Sequence, residues 1–461
     1  MNALLPASRL AAMIGDREIS SRELLEEYLS RIERLNPSLN AVVTLDAERA
    51  LDAASDADKA TARGDHLPPL HGVPVTIKDA IEVAGMRSTG GASELADHVP
   101  VADAPVVARL RRAGAIVLGK TNVPRWSGDI QTYNDVFGTT NNPWALDRTP
   151  GGSSGGPAAA VSAGLSAFDI GTDIGGSIRI PSSFCGVFGH KPSFGIVPQR
   201  GYLDSVGGGV IDADINVFGP IARSVEDLSL VLDTVAGPLD EDAVAWSLTL
   251  PPPRRRSLLD LRVGLWLDDP ACPVDGEALH LMRRAADALS DAGAQVAEDR
   301  PPLDLASVAE LFTSLLLPAI SVSVDPSIAD ALSGSHRAWL EMHRRRTLLR
   351  RQWAAWFEER DVLLCPVVPM LPFPHDHHAT IAERTVTING SPRPQAETLA
   401  WTGLVGVAYL PSTVVPVGLT SGGLPVGIQV VGPHLEDRTC LFVAARLAEL
   451  TGGYSPPPLA A

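Results

Sequence analysis

The chain is poor in cysteine, in aromatic residues and in basic residues, and it has no long apolar run. Its four cysteines, Cys185, Cys272, Cys365 and Cys440, stand far apart among 461 residues with no C-x-x-C pair. That excludes a disulfide framework and a paired-cysteine zinc site, and it fits buried thiols in a reducing cytoplasm. Aromatic residues make up 5%, which leaves few platforms for stacking single-stranded bases. Lys and Arg number 38 against 54 Asp and Glu, a net charge of −16. Such a surface repels phosphate backbones and argues against a nucleic-acid partner. No stretch approaches the ~20 consecutive apolar residues of a membrane span. The first thirteen residues lack the basic and apolar regions of a signal peptide. What the chain does have is 45% hydrophobic residues, ample for a large buried core.

The elements alternate between helix and strand. Ser20 and Glu23 have capping-box spacing, followed by an apolar stripe at Leu24, Tyr28, Leu29, Ile32 and Leu35 that predicts a helix closed by Asn36-Pro37. Val73–Lys78 reads as a buried strand, 106–112 as a helix, 115–118 as a strand, 157–164 as a small-residue helix and 167–170 as a strand. Arg262–Trp266 and Glu277–Ala292 continue as strand and helix. This order predicts an α/β fold with a large mixed, mostly buried sheet covered by helices on both faces. The expectation is one domain over 1–461, with a surface insertion near 238–257 and a Pro/His-rich loop near 366–394.

Three motif matches dissolve on inspection. Gly114–Thr121 fits the Walker A pattern, but its middle residues are Ala-Ile-Val-Leu, a strand, and Pro124 stands where the helix should follow. Gly152-Ser-Ser-Gly-Gly156 fits a nucleophile elbow, yet a turn, Asp147–Pro150, precedes it instead of a strand. His375-Asp-His-His378 lies in a Pro-rich loop without a rigid scaffold to converge ligands, so no metal is expected.

The informative region runs from Lys78 to Pro181. A glycine–serine loop, Thr149–Gly156, opens onto the small-residue helix, and Gly171-Thr-Asp-Ile-Gly-Gly-Ser-Ile-Arg179 follows. Successive N–H groups at Ile174, Gly175, Gly176 and Ser177 form a candidate anion nest beside a hydroxyl, which is what acyl transfer requires. A serine needs a base. No histidine stands in an obvious position, whereas Lys78 ends an apolar strand, where desolvation favours the neutral amine.

Lys78-Asp79, Gly151–Gly156 and Gly171–Arg179, with Pro181 and Phe184-Cys-Gly186, resemble the amidase signature family. The resemblance extends through Gly119–Asn122, Phe137–Trp144, His190–Pro192, Gly219-Pro220 and Gly423–Gln429, and so covers most of the chain. It implies a cofactor-free hydrolase with Ser177 as nucleophile, Ser153 as a bridging serine after a cis peptide bond, and Lys78 as base. It further implies an oxyanion hole from Ile174, Gly175 and Gly176, supported by Ser154, Thr172, Asp173 and Arg179. Within that resemblance, Trp126, Gln131 and Tyr133 fall where substrate-facing residues lie, 203–214 is a candidate lid, and Trp401 with 404–410 a further wall.

The apolar lining predicts a stand-alone amidase for hydrophobic or aryl amides, with esters or carbamates as further substrates. The expected partner is a small molecule, with the protein a monomer or homodimer. The alternative is the glutaminase (A) subunit of a tRNA-dependent amidotransferase, from which Ile211-Asp-Ala-Asp-Ile-Asn216 departs.

Overall fold

The computed structural model describes residues 2–324, 326–378 and 380–460. Eleven strands form one mixed sheet. From edge to edge they are Val42–Leu45, Ile116–Thr121, Pro74–Lys78, Phe168–Asp173, Val217–Ala222, Phe188–Lys191, Ser412–Leu419, Pro425–Val431, Val362–Pro366, Arg262–Leu265 and Gln295–Ala297. Pro74–Lys78 lies parallel between Ile116–Thr121 and Phe168–Asp173, and the strands through the centre of the sheet run antiparallel.

Alternation along one strand shows how the sheet is covered. Ala115 and Val117 join the larger apolar cluster, with Val75, Phe168 and Phe218. Ile116 and Leu118 join another, with Leu25, Ile32 and the alanines of the helix Gly155–Ser162. Successive side chains on a strand point to opposite faces, so the two clusters are the two faces of the sheet. No helix is long and apolar enough to cross a membrane among the described residues.

The Ser20/Glu23 capping box forms as expected, but the helix Ser21–Leu39 runs through Pro37 to end at Asn40 in the left-handed region. Pro37 falls in the last turn, and the Asn36 side chain takes the N–H groups of Ala41 and Val42 as the chain leaves. The Walker-like run is the buried strand Ile116–Thr121, with Lys120 donating to the Ile81 carbonyl and the Ser88 hydroxyl.

The larger departure concerns 366–394. It contains a hairpin, Thr385–Ile388 with Ser391–Pro394, turned at Asn389-Gly390, both with positive φ. Val386 and Ile388 pack with Val367, Met370, Ile130, Ile180 and Phe184 in a cluster of their own. The segment is therefore docked structure beside residues 129–133. The alternating Thr-Val-Thr-Ile ahead of Asn-Gly was the sequence signal for it.

Candidate active site

Lys78 ends its strand beside Thr172 and Asp173, which end the neighbouring parallel strand. The carboxyl ends of adjacent parallel strands thus bring a buried lysine and a glycine-rich loop together. Lys78 is fully buried, and its Nζ donates to Ser153 Oγ and to Thr172 Oγ1, both at 2.7 Å. Burial lowers this amine to about 7, against the pull of Asp173 and Asp169.

Ser153 follows a cis peptide bond from Gly152, as the resemblance implied. The loop is pressed against residues 129–131, and the helix after it runs close enough to Asn122 that a side chain at Gly156 would collide with the Asn122 backbone. Ser154 ties this loop to the next one. Its N–H donates to the Ser177 carbonyl at 3.1 Å, and its hydroxyl accepts from the Thr172 N–H at 3.3 Å.

Ser177 is 8% exposed, and among the described residues nothing pairs with its hydroxyl. The structure thus joins Lys78 to Ser153 directly and brings Ser177 beside them through the backbone. The N–H groups of Ile174, Gly175 and Ser177 are likewise unengaged among the described residues. Gly176 differs from expectation, because its N–H donates to Asp173 Oδ1 at 2.9 Å. Its φ of +114° and the contact a Cβ would make with Thr402 Cγ2 at 2.7 Å explain why glycine stands there.

Asp173 organises this loop. Its carboxylate also takes the N–H groups of Ile178 and Arg179 and pairs with the Arg179 guanidinium through Nε and Nη2, each at 2.9 Å. Burial opposes ionisation, but Arg179 and these donors hold the acid down at about 2. Arg179, fully buried, donates onward to the Thr402 carbonyl and Gln429 Oε1. It is an anchor within the fold and not a substrate contact.

The residues expected to face substrate are engaged by the protein itself. Gln131 is buried, and its side-chain amide is spent on the Asp376 backbone, donating to the carbonyl at 2.6 Å and accepting the N–H at 3.0 Å. It holds the docked hairpin segment. Tyr133 stacks on His377 at 3.8 Å and donates to Asp129, whose carboxylate also receives Arg384 at 2.5 Å. Trp126 is buried with a φ of +49°, packed near Gly90.

Trp401, expected as a wall, lies in the core and donates its indole N–H to the Cys272 carbonyl. Its neighbour Thr402 reaches the site instead, donating to the Gly175 carbonyl at 2.9 Å. The lid candidate is anchored at Asp214, which accepts both Arg346 at 2.9 Å and the Tyr409 hydroxyl at 2.5 Å. Among the described residues no cluster of His, Cys, Asp or Glu is arranged to hold a metal.

A family model described as Amidase matches residues 23–328 and 307–441. The chain is 34% identical to the A subunit of the glutamyl-tRNA(Gln) amidotransferase of Moorella thermoacetica, over 97% of this chain and 96% of that one. It is 33% identical to the corresponding chain of Roseiflexus sp., over 98% and 97%. A bacterial aryl acylamidase of the amidase signature family superposes with a TM-score of 0.84 at 26% identity, covering 97% of this chain and 96% of that one.

These likenesses correct two expectations. A stand-alone amidase for hydrophobic amides, anilides, esters or carbamates gives way to the alternative, because the curated relatives are amidotransferase A subunits matched along nearly their whole length. A monomer or homodimer acting without nucleic acid gives way likewise, since those relatives are named as subunits of an enzyme of glutamyl-tRNA(Gln). The chain belongs to the amidase signature family and is an enzyme of amide-bond hydrolysis.

Proposed function

We propose that the protein releases ammonia from the carboxamide of glutamine through a Ser177 acyl-enzyme, as the A subunit of a glutamyl-tRNA(Gln) amidotransferase. The buried 2.7 Å contact of Lys78 with Ser153 beside Ser177 carries the chemistry. Identity of 34% along 97% of the chain supports the amidotransferase assignment. The net charge of −16 supports leaving RNA contact to a different polypeptide of the assembly.

Lys78 starts neutral. Ser177 Oγ attacks the carboxamide carbon while its proton passes to Ser153 Oγ and the Ser153 proton passes to Lys78 Nζ. Charge gathers on the carbonyl oxygen, facing the free N–H groups of Ile174, Gly175 and Ser177, and one such donor is worth about 2.7–4 kcal/mol. The C–N bond then breaks, the proton returns from Lys78 through Ser153 to the departing nitrogen, and ammonia leaves. Water attacks the ester through the same relay and frees glutamate.

With Lys78 at about 7, its reactive neutral form falls tenfold for each pH unit below that value and is nearly complete above it. We therefore expect kcat/KM to rise with pH and level off above about 7. Lys78→Ala is expected to lose about 10²–10⁴-fold and the acid limb with it. A variant of near-normal rate would remove Lys78 as the base.

The assignment is tested by ammonia release from glutamine. The chain is assayed alone and with the remaining subunits of a glutamyl-tRNA(Gln) amidotransferase plus glutamyl-tRNA(Gln), against Ser177→Ala. Release above that blank, raised by the added subunits, is the expected result. No release in either mixture overturns the glutamine reading.

A further inference from the structure

Asp169 is a fully buried carboxyl for which the relay has no use. It lies on Phe168–Asp173 directly opposite Thr76, two residues before Lys78 on the neighbouring strand. Its Oδ2 accepts the hydroxyls of Thr76 at 2.6 Å and Thr121 at 2.9 Å. Its Oδ1 is sealed from solvent without a hydrogen-bond partner. A purely structural carboxyl is expected to have both oxygens satisfied, because an orphaned buried acceptor costs about 1–3 kcal/mol.

The adjacent strand Pro74–Lys78 brings Lys78 to the face that holds Asp169. Ile116–Thr121, one strand further, brings Thr121 to that face and Lys120 to the other, where Asp79, Asp169, Glu82 and Asp103 favour the Lys120 charge. Asp173 lies on Asp169's own strand and acts on Lys78 together with it. On the other side, Val217–Ala222 and the packed helix Gly155–Ser162 contribute no charged side chain. Asp173 is already committed to Arg179. Asp169 has no such cation bound to it, and its charge acts on both buried amines.

Resting on the assignment of Lys78 as base, we propose that Asp169 is a positioning residue for catalysis, its charge setting the pH at which the Lys78 amine becomes reactive. Asp169 and Lys78 are both fully buried on the same face of adjacent strands, and burial raises the one and lowers the other, so the two titrate as a coupled pair. The sign follows from Coulomb attraction. Ionised Asp169 favours the ammonium form of Lys78, so removing that charge lets Lys78 lose its proton at lower pH.

The test reads base strength without depending on the natural substrate. A fluorophosphonate phosphonylates Ser177: the Ser177 Oγ–P bond forms, the P–F bond breaks and fluoride leaves, and the serine proton passes through Ser153 to Lys78. For the whole chain, the labelling rate is measured against pH in the native protein, Asp169→Asn, Thr121→Val and Lys78→Ala. Asp169→Asn is expected to move the acid limb down by about half a pH unit or more, which makes labelling on that limb about threefold faster. Thr121→Val, by weakening the ionised form of Asp169, is expected to move it the same way by less.

A merely structural role would lower the rate or the melting temperature without moving the limb. An acid limb unmoved in a folded Asp169→Asn protein overturns the inference. Should that variant not fold, an unmoved limb in Thr121→Val does so. Near-normal labelling of Lys78→Ala instead overturns the base assignment itself.

Discussion

Ser177→Ala is expected to lower ammonia release from glutamine by on the order of 10⁴-fold or more, and to abolish fluorophosphonate labelling. The effect is chemical, because the substitution disturbs little else. The Ser177 hydroxyl has no partner to lose among the described residues, and the bond that fixes residue 177, from the Ser154 N–H to its carbonyl, belongs to the backbone. Unfolding should therefore be nearly unchanged while turnover vanishes. Ser153→Ala makes a useful contrast. It leaves the nucleophile in place but strips Lys78 of one of its two hydroxyl contacts and cuts the proton path. Its loss should appear in the labelling rate as well as in turnover. A Ser177→Ala protein that keeps a tenth of the native rate would displace Ser177 from the reaction.

The largest expected effect on stability comes from Asp173→Ala. The native carboxylate satisfies three backbone N–H groups and two N–H groups, Nε and Nη2, along one edge of a fully buried guanidinium. Removing it leaves Arg179 with only the Thr402 carbonyl and Gln429 for company. Stranding one partner of a buried pair costs about 3–5 kcal/mol, which chemical denaturation will read directly. The same bond has a pH signature. Asp173 is held at about 2, below the ordinary carboxyl value near 4. Its contribution is thus complete above pH 4 and is lost as pH falls from there toward 2. Asp173→Ala should flatten the acid-unfolding curve in that window. Native-like stability in the variant would refute this account of the loop.

The assembly of the candidate site was legible in the sequence wherever its signal was local. Lys78 at the end of an apolar strand, glycines packed around Ser153 and Ser177, and Arg179 within a packed motif all declare themselves through their neighbours in the chain. What was not legible depended on distant partners. Gln131 looks like a substrate contact until Asp376, 245 residues away, occupies both ends of its amide. Trp401 looks like a pocket wall, yet the residue that touches the glycine loop is Thr402, and only the folded path of that helix decides between them. Asp169 carries no sequence signature, because a lone acid in a strand has no pattern.

The choice between amidase branches failed for a related reason. Ile211–Asn216 weighed against membership of an amidotransferase, but Ile211 is exposed and Asp214 is turned onto Arg346 and Tyr409. Differences in that loop leave Lys78, Ser153 and Ser177 untouched.

The reach of Arg179 has a consequence for how the enzyme comes into being. Lys78, Ser153 and Ser177 are all translated within the first half of the chain, but the loop bearing Ser177 is held through Arg179 by Thr402 and by Gln429, 250 residues later. A nascent protein on the ribosome carries all its reactive groups long before it owns the clamp that aligns them. A product released short of Gln429 would carry Lys78, Ser153 and Ser177 but lack the Pro425–Val431 strand and one of the two partners beyond Asp173 that hold Arg179.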